Sequence, residues 1–318
     1  MFGSHLSIAG SMTNALNEAV ELGLDTVQVF TKNQQQWKAP PLDPGAVREW
    51  RSRVAELGWQ DRIVSHASYL INLASMNEEL WAKSVDLMTQ EIERCETLGI
   101  AFLVHHPGSH VGTTLEVGLA NIARAYKEVF RRTKGARVVS CFEGTAGAGS
   151  TIGGPFEHLR DVRSLSEEST GEAARLGYCL DSCHLHAAGH DMSTEASARA
   201  ALGVFDAMCG VRHLKVWHLN DSKGKLGSHL DRHAHIGEGE VGGGTPGKCS
   251  PKKLRASGFA AILRDPRFAS VPKIIETPKE ADAKGKPMDL TNIKRLRGLM
   301  DERGRARLGL SRRASASG

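Results

Sequence analysis

No Cys-x-x-Cys pair occurs among the six cysteines of this 318-residue chain. Cys179 and Cys183 have a spacing that a metal could use, but no second pair stands nearby to complete a tetrahedral thiolate site. All six are therefore expected as reduced thiols, mostly packed as small apolar side chains. No apolar run approaches the ~18–20 residues that a membrane span needs. The opening Met1-Phe-Gly-Ser-His5 lacks the basic-then-apolar order of a secretory signal. An intracellular, cytoplasmic protein with no membrane partner is the expectation. The first strand-like run leads into Ser7-Ile-Ala-Gly-Ser11, which lacks the GxGxxG spacing of a dinucleotide-binding turn.

The excess of positive charge sits at the end of the chain. From Arg303 onward there are five arginines and no acid, and removing them from a formal charge of +5 leaves 36 basic and 36 acidic residues. The body is not globally basic, so bulk charge neither requires nor forbids a polyanionic partner, which a local patch could still bind. Residues 303–318 read as a basic, disordered tail after a single domain spanning 1–302.

What remains is ordinary in composition, with 40% hydrophobic and 24% charged residues, enough for a substantial core. Strand-like runs are expected at 4–8, 26–30, 62–65, 101–105, 137–142, 177–180, 213–217 and 272–275. Helices are expected at 11–22, 44–57, 77–98, 114–132, 194–209 and 289–303. Ser11 and Asn77 suit N-caps, and Gly23, Gly58 and Gly99 follow last turns. Eight such alternations over about 300 residues point to a single (β/α)8 TIM barrel of the α/β class. The glycine- and lysine-rich stretch 237–253 reads as a loop. Trp37, Trp50, Trp59 and Trp81 read as packing residues rather than a base-stacking platform.

From the third onward, these runs lead into a histidine or a carboxylate: His66, His106, Glu143, Asp181, His218 and Glu276. In a barrel they converge at the C-terminal face, where barrel enzymes keep their sites. His184 stands at i+3 from Asp181, and Asp231 and His233 share a face if their segment is extended. Five imidazoles and four carboxylates suit zinc or manganese rather than calcium. Without cations four close carboxylates repel one another. Three divalent ions bring the sum to +2, which a hydroxide and a phosphate would neutralise. That is a cluster for phosphodiester hydrolysis. His5, His105, His110, His158, His190 and His235, taken singly, read as loop, cap or core residues. His105 should face away from His106.

The motifs extend well beyond single residues. They include Phe30-Thr-Lys-Asn-Gln-Gln-Gln-Trp37, His66-Ala-Ser-Tyr-Leu-Ile-Asn-Leu73, His106-Pro-Gly-Ser-His110, Glu143-Gly-Thr-Ala-Gly147, Cys179-Leu-Asp-Ser-Cys-His184, His218-Leu-Asn-Asp-Ser-Lys223, Gly227-Ser-His-Leu-Asp-Arg-His233 and Glu276-Thr-Pro278. In that order they resemble the endonuclease IV family of zinc-dependent apurinic/apyrimidinic endonucleases, from residue 3 to about residue 300.

The resemblance implies a monomer acting on double-stranded DNA with abasic sites or blocked 3′ ends. It implies cleavage 5′ to the lesion to leave a 3′-hydroxyl, trimming of blocked 3′ ends, and three Zn2+, with Mn2+ an option for part of the site. His66, His106 and Glu143 would hold the first ion. Asp181, His218 and Glu276 would hold the second, bridged to the first by Glu143. His184, Asp231 and His233 would hold the third. Glu143 and Glu276 would be the catalytic carboxylates, and Gln35, Tyr69 and Leu70 would meet DNA, the last two as a wedge.

The chain departs from the family at three places. Gly144 stands where an asparagine is common, implying a lost hydrogen bond behind the ligands. Gln35 replaces an arginine that enters DNA in some members. Residues 243–253 read as an insertion. Two alternatives remain at this stage: a divalent-metal sugar isomerase or epimerase on the same barrel, and a non-catalytic binder of abasic DNA.

Overall fold

The structure, a computed structural model, describes residues 1–300, so the arginine-rich tail lies outside the described residues. Eight parallel strands form one sheet: β1 (Phe2–Ser4), β2 (Gln28–Val29), β3 (Val64–His66), β4 (Phe102–His105), β5 (Val139–Glu143), β6 (Leu176–Asp181), β7 (Leu214–His218) and, after a two-stranded ribbon, β10 (Lys273–Ile275). The order runs β1-β10-β7-β6-β5-β4-β3-β2. A single parallel bridge, His5 with Gln28, joins the two ends of that sheet, supported by the Leu6 N–H donating to the Gln28 carbonyl at 2.9 Å. The chain is a (β/α)8 barrel. The ribbon itself is β8 (Asp221–Ser222) against β9 (His233–Ala234), antiparallel.

Strands are shorter than the apolar runs suggest. Residues 26–30 yield only Gln28–Val29, because Phe30 and its neighbours leave the ladder for the upper loop. The first strand starts earlier than expected, at Phe2, and passes through Gly3. A methyl group on Gly3 would sit 2.8 Å from Ile274 and from Thr26, so only glycine permits this approach. Val64, Val104, Cys141, Cys179, Val216 and Ile274 form a buried cluster, one residue from each of six strands.

The surrounding helices follow the anticipated caps. Ser11 accepts from the Thr13 N–H at the start of α1 (Met12–Glu21), and Asn77 accepts from Leu80 at the start of α3 (Glu78–Leu98). Gly58 and Gly99 close α2 (Pro44–Leu57) and α3 in the left-handed conformation. The helices α4 (Leu115–Arg132) and α7 (Glu195–Cys209) lie where the periodicity puts them. Besides a one-turn helix at 251–254, three further helices were not anticipated: α5 (Phe156–Thr170), α6 (Ser182–Ala188) and α9 (Gly258–Arg264). The last helix among the described residues, α10 (Met288–Arg297), is shorter than expected.

Stretch 237–253 is more ordered than a free loop. It contains the bridge Thr245–Lys248 and a one-turn helix, α8 (Pro251–Leu254). Its glycine turn is held by the buried Asp221 carboxylate, which accepts from the Gly237, Val241 and Gly242 N–H groups at 2.8–3.1 Å. All six cysteines are free, and five are buried. Trp50 and Trp59 are buried, and Trp37 and Trp81 pack against the core.

Candidate functional site

Six of the eight barrel strands deliver a histidine or carboxylate at their last residue or the one after. His66, Glu143, Asp181 and His218 end β3, β5, β6 and β7, while His106 and Glu276 immediately follow β4 and β10. The ladder sets Asp181 level with His218 and Glu143 level with Cys179, so successive strand ends are level or staggered by two residues. Asp181 also caps α6, accepting from the Cys183 and His184 N–H groups at 2.6 and 3.1 Å. That cap turns His184 back over the strand end. The ribbon returns Asp231 and His233 to the same place.

The nine side chains meet. Glu143 Oε2 lies 3.1 Å from His66 Nε2 and 3.3 Å from His106 Nε2, and its Oε1 lies 3.0 Å from His218 Nδ1. His218 Nδ1 is also 3.1 Å from Glu276 Oε2 and 4.0 Å from Asp181 Oδ2. Asp231 Oδ1 lies 3.2 Å from His184 Nε2 and 3.5 Å from His233 Nε2. His66, His106 and Glu143 form one compact donor group, and Glu143, Asp181, His218 and Glu276 form another that shares Glu143. His184 and His233 group with Asp181, and Asp231 and His233 group with the Cys183 sulfur, so the third set overlaps its neighbours.

The imidazoles are oriented from behind. His66 Nδ1 donates to the Ala67 carbonyl, His184 Nδ1 to that of Gly144 and His233 Nδ1 to that of Glu276, at 2.8, 2.9 and 3.2 Å. His218 Nε2 donates to Gln28 Oε1 at 2.8 Å. In each neutral ring the proton is thereby placed at the back, and the nitrogen with the lone pair faces carboxylates. The inward Nε2 atoms of His184 and His233 are buried without a hydrogen-bond partner. Lone pairs turned on carboxylate oxygens repel unless a cation stands between them, so the donor set fits divalent metal ions.

The electrostatics agree. Burial alone would raise the Glu143 and Glu276 carboxyls, but the facing imidazoles hold both well below the usual carboxylate range. Burial likewise works against charge on His66, His184 and His218, and the surrounding carboxylates overturn it, raising all three. The same positions take up protons when no cation occupies them.

The site opens into a cleft of about 460 Å³ whose walls include Tyr69, Lys223, Arg232 and Pro278. Tyr69 is 60% exposed, with its ring 5.2 Å from that of His66. Leu70 is only half-exposed and packs against the core, so it is less free to insert than its neighbour. Gln35 is exposed on the adjacent loop. That loop is tied to the Tyr69 loop by the Ser68 hydroxyl donating to the Gln34 carbonyl at 2.5 Å.

Sequence reasoning placed all nine cluster residues but missed three others. His5, read as a loop or cap residue, instead lies beside the cluster, with Nδ1 3.3 Å from Glu276 Oε1. Burial lowers its pKa. Gln28 donates to Glu276 Oε1 at 2.6 Å. Asn220 donates to Asp181 Oδ2 at 2.6 Å and accepts from the Glu276 N–H at 2.7 Å. The available signal was a buried-strand glutamine alternating with Val27 and Val29.

A Cβ on Gly144 would meet Leu180 and Leu159 at 3.4–3.6 Å and the Gly153 carbonyl oxygen at 3.8 Å, and the Gly144 carbonyl accepts from His184 Nδ1. His105 faces away from His106 as expected, bonding to the Tyr126 hydroxyl at 2.6 Å, and His190 stacks on Phe156.

Residues 16–290 match the family model described as a xylose isomerase-like TIM barrel. The chain is 38% identical to the probable endonuclease 4 of Chloroflexus aurantiacus over 295 residues, covering 93% of this chain and 97% of that one. It is 38% identical to that of Geotalea daltonii over 301 residues, covering 95% and 98%. The crystal structure of endonuclease IV from Thermus thermophilus superposes with a TM-score of 0.76 at 33% identity, over 94% of this chain and 98% of that one. A D-tagatose 3-epimerase-like protein also superposes, with a TM-score of 0.64, but at 17% identity it shares the fold alone. The chain belongs to the endonuclease IV family, nucleases built on the (β/α)8 barrel.

Proposed function

We propose that this protein is a zinc-dependent DNA-repair endonuclease that hydrolyses the phosphodiester 5′ to an abasic site, leaving a 3′-hydroxyl, and trims blocked 3′ ends. The observation that carries this reading is the convergence of nine donors on one open cleft with their lone pairs turned inward. His66, His106 and Glu143 would hold one ion. Asp181, His218 and Glu276 would hold a second together with Glu143, and His184, Asp231 and His233 a third. Zinc suits this nitrogen and oxygen set, and manganese is an alternative for part of it. When bound, the ions supply an activated water and neutralise charge on the phosphate and leaving oxygens.

The chain's own residues divide the remaining work. Glu143 belongs to two of the donor groups and would serve both ions. Glu276, held at one oxygen by Gln28, aims the other at the centre of the cluster and orients the attacking nucleophile. Tyr69 and Leu70 stand on the rim, where an apolar wedge fills the gap left by an extruded nucleotide, and an abasic nucleotide is the least costly to extrude. Lys223 and Arg232 are exposed in the cleft wall and Gln35 is exposed on the loop bonded to that of Tyr69, and all three offer phosphate contacts.

A monomer acting on duplex DNA inside the cell completes the reading. No helix among the described residues is long and apolar enough to cross a membrane. An isomerase needs one or two ions and would leave Asp231 and His233 without a role. The deciding experiment combines elemental analysis with cleavage of a duplex carrying one abasic site. At most one tightly bound metal in a fully active preparation would sink the three-ion assignment. Absence of cleavage by the fully loaded protein would sink the activity.

A further inference from the structure

Gln28 is wholly buried, in the shortest strand of the barrel, and its side chain makes three polar contacts at the cluster. Its Oε1 accepts from His218 Nε2 at 2.8 Å. Its amide nitrogen donates to Glu276 Oε1 at 2.6 Å and to His5 Nδ1 at 2.9 Å. The amide cannot be turned over. The flipped group would set its carbonyl against the Glu276 carboxylate and its NH2 against the His218 N–H.

One consequence concerns His218. With Nε2–H committed to Gln28, the neutral ring has its lone pair on Nδ1, the atom 3.0 Å from Glu143 and 3.1 Å from Glu276. The opposite tautomer would turn a proton on the carboxylates and a lone pair on the Gln28 carbonyl. The other consequence concerns Glu276. Anchoring Oε1 leaves Oε2 as the oxygen that faces His218. A third follows for His5: accepting at Nδ1, it carries its proton on Nε2, which is buried with no protein partner.

We infer that Gln28 is a positioning residue for this reaction, one amide that selects the ligating nitrogen of His218 and holds the Glu276 carboxylate in register with it. The inference rests on the metal-cluster reading above. It concerns a residue that is neither a ligand nor a substrate contact.

The test uses the zinc-loaded full chain. Gln28→Met keeps the length and removes all three hydrogen bonds. Gln28→Glu keeps an acceptor for His218 but sets a carboxyl group against Glu276. In the parent, the His218 Nε2–H should give a slowly exchanging imidazole proton signal by NMR. Gln28→Met should lose that signal and bind one of the ions about 10- to 100-fold more weakly in chelator competition. The other ions and the circular dichroism should be unchanged. Gln28→Glu should keep the signal while weakening the same ion.

A purely structural glutamine would shift thermal stability in both variants without separating these two readouts. Parent-like affinity for every ion in either folded variant overturns the inference. If Gln28→Met fails to fold, Gln28→Glu decides alone: parent-like ion binding refutes and selective weakening supports. A parent that binds no metal would refute the functional reading instead, so the two failures are distinguishable.

Discussion

Replacing Glu276 by glutamine changes one atom and removes one charge, at a place where the structure says what each orientation costs. Oε1 receives the Gln28 amide at 2.6 Å, and Oε2 stands 3.1 Å from His218 Nδ1. If the new NH2 takes the Oε1 position, two amide donors face each other in a buried site. That leaves donors unsatisfied at ~1–3 kcal/mol. If it takes the Oε2 position, it turns N–H groups toward the place where a cation is proposed and removes a ligand. Either way one of the four negative charges is lost.

Removing a group that acts mainly in the transition state costs ~10²–10³-fold in rate in comparable cases, or ~3–4 kcal/mol at ~1.4 kcal/mol per tenfold. Single-turnover cleavage with enzyme in excess isolates that step, and fluorescence anisotropy on the same abasic duplex reports binding. The expected outcome is a rate lower by two to three orders of magnitude with duplex affinity within a few-fold of the parent. Cleavage within tenfold of the parent at full metal loading would refute the role given to Glu276.

Stripping the metals should abolish cleavage while leaving far-UV circular dichroism nearly intact, since the buried core does not run through the cluster; loss of the helical signal on chelation would refute this. Because carboxylates raise His66, His184 and His218 in the metal-free protein, protons compete with ions at these rings. Zinc affinity should then fall as pH drops from roughly 8 to 6, and a flat profile in chelator competition would contradict it. Tyr69→Ala with Leu70→Ala should reduce the preference for abasic over intact duplex at one salt concentration without altering metal content. Unchanged discrimination would remove the wedge. Gln35→Arg should tighten duplex binding and steepen its salt dependence, with single-turnover cleavage at saturation little changed; an unaltered salt slope would show that position 35 does not meet DNA.

The barrel and the cluster were legible for one shared reason. Parallel strands buried on both faces read as short apolar runs, and a polar side chain at the end of such a run has little to do in the core. His66, Glu143, Asp181 and His218 announce themselves in this way. His5 did not, because it lies at the edge of β1, and singly a histidine there looks like a cap. Gln28 and Asn220 carry no charge and fit no ligand pattern, so only the geometry reveals their partners.

The missed α5 does show apolar residues at 156, 159, 162 and 165, but Pro155 provides no side-chain cap to mark its start. The helix α6 is capped by a carboxylate assigned to the metals, so its start signal was read as chemistry. The order within 237–253 depends on Asp221, whose carboxyl burial pushes up to about 6, a long-range anchor that local composition cannot disclose.

The seam between β1 and β2 has a mechanical implication. Seven neighbouring strand pairs are zipped by ladders, whereas this one has no ladder: it is fastened by one bridge, His5 to Gln28, and lower down by the Asp25 N–H donating to the Phe2 carbonyl at 2.8 Å. The His5 and Gln28 side chains reach Glu276, on the far side of β1 from β2. Any breathing of the cylinder along its weakest line would therefore tug directly on the floor of the cleft. A loaded cluster would act as a rivet across that line, so hydrogen exchange at the Leu6 amide should slow when zinc is added, ahead of amides in the other strands.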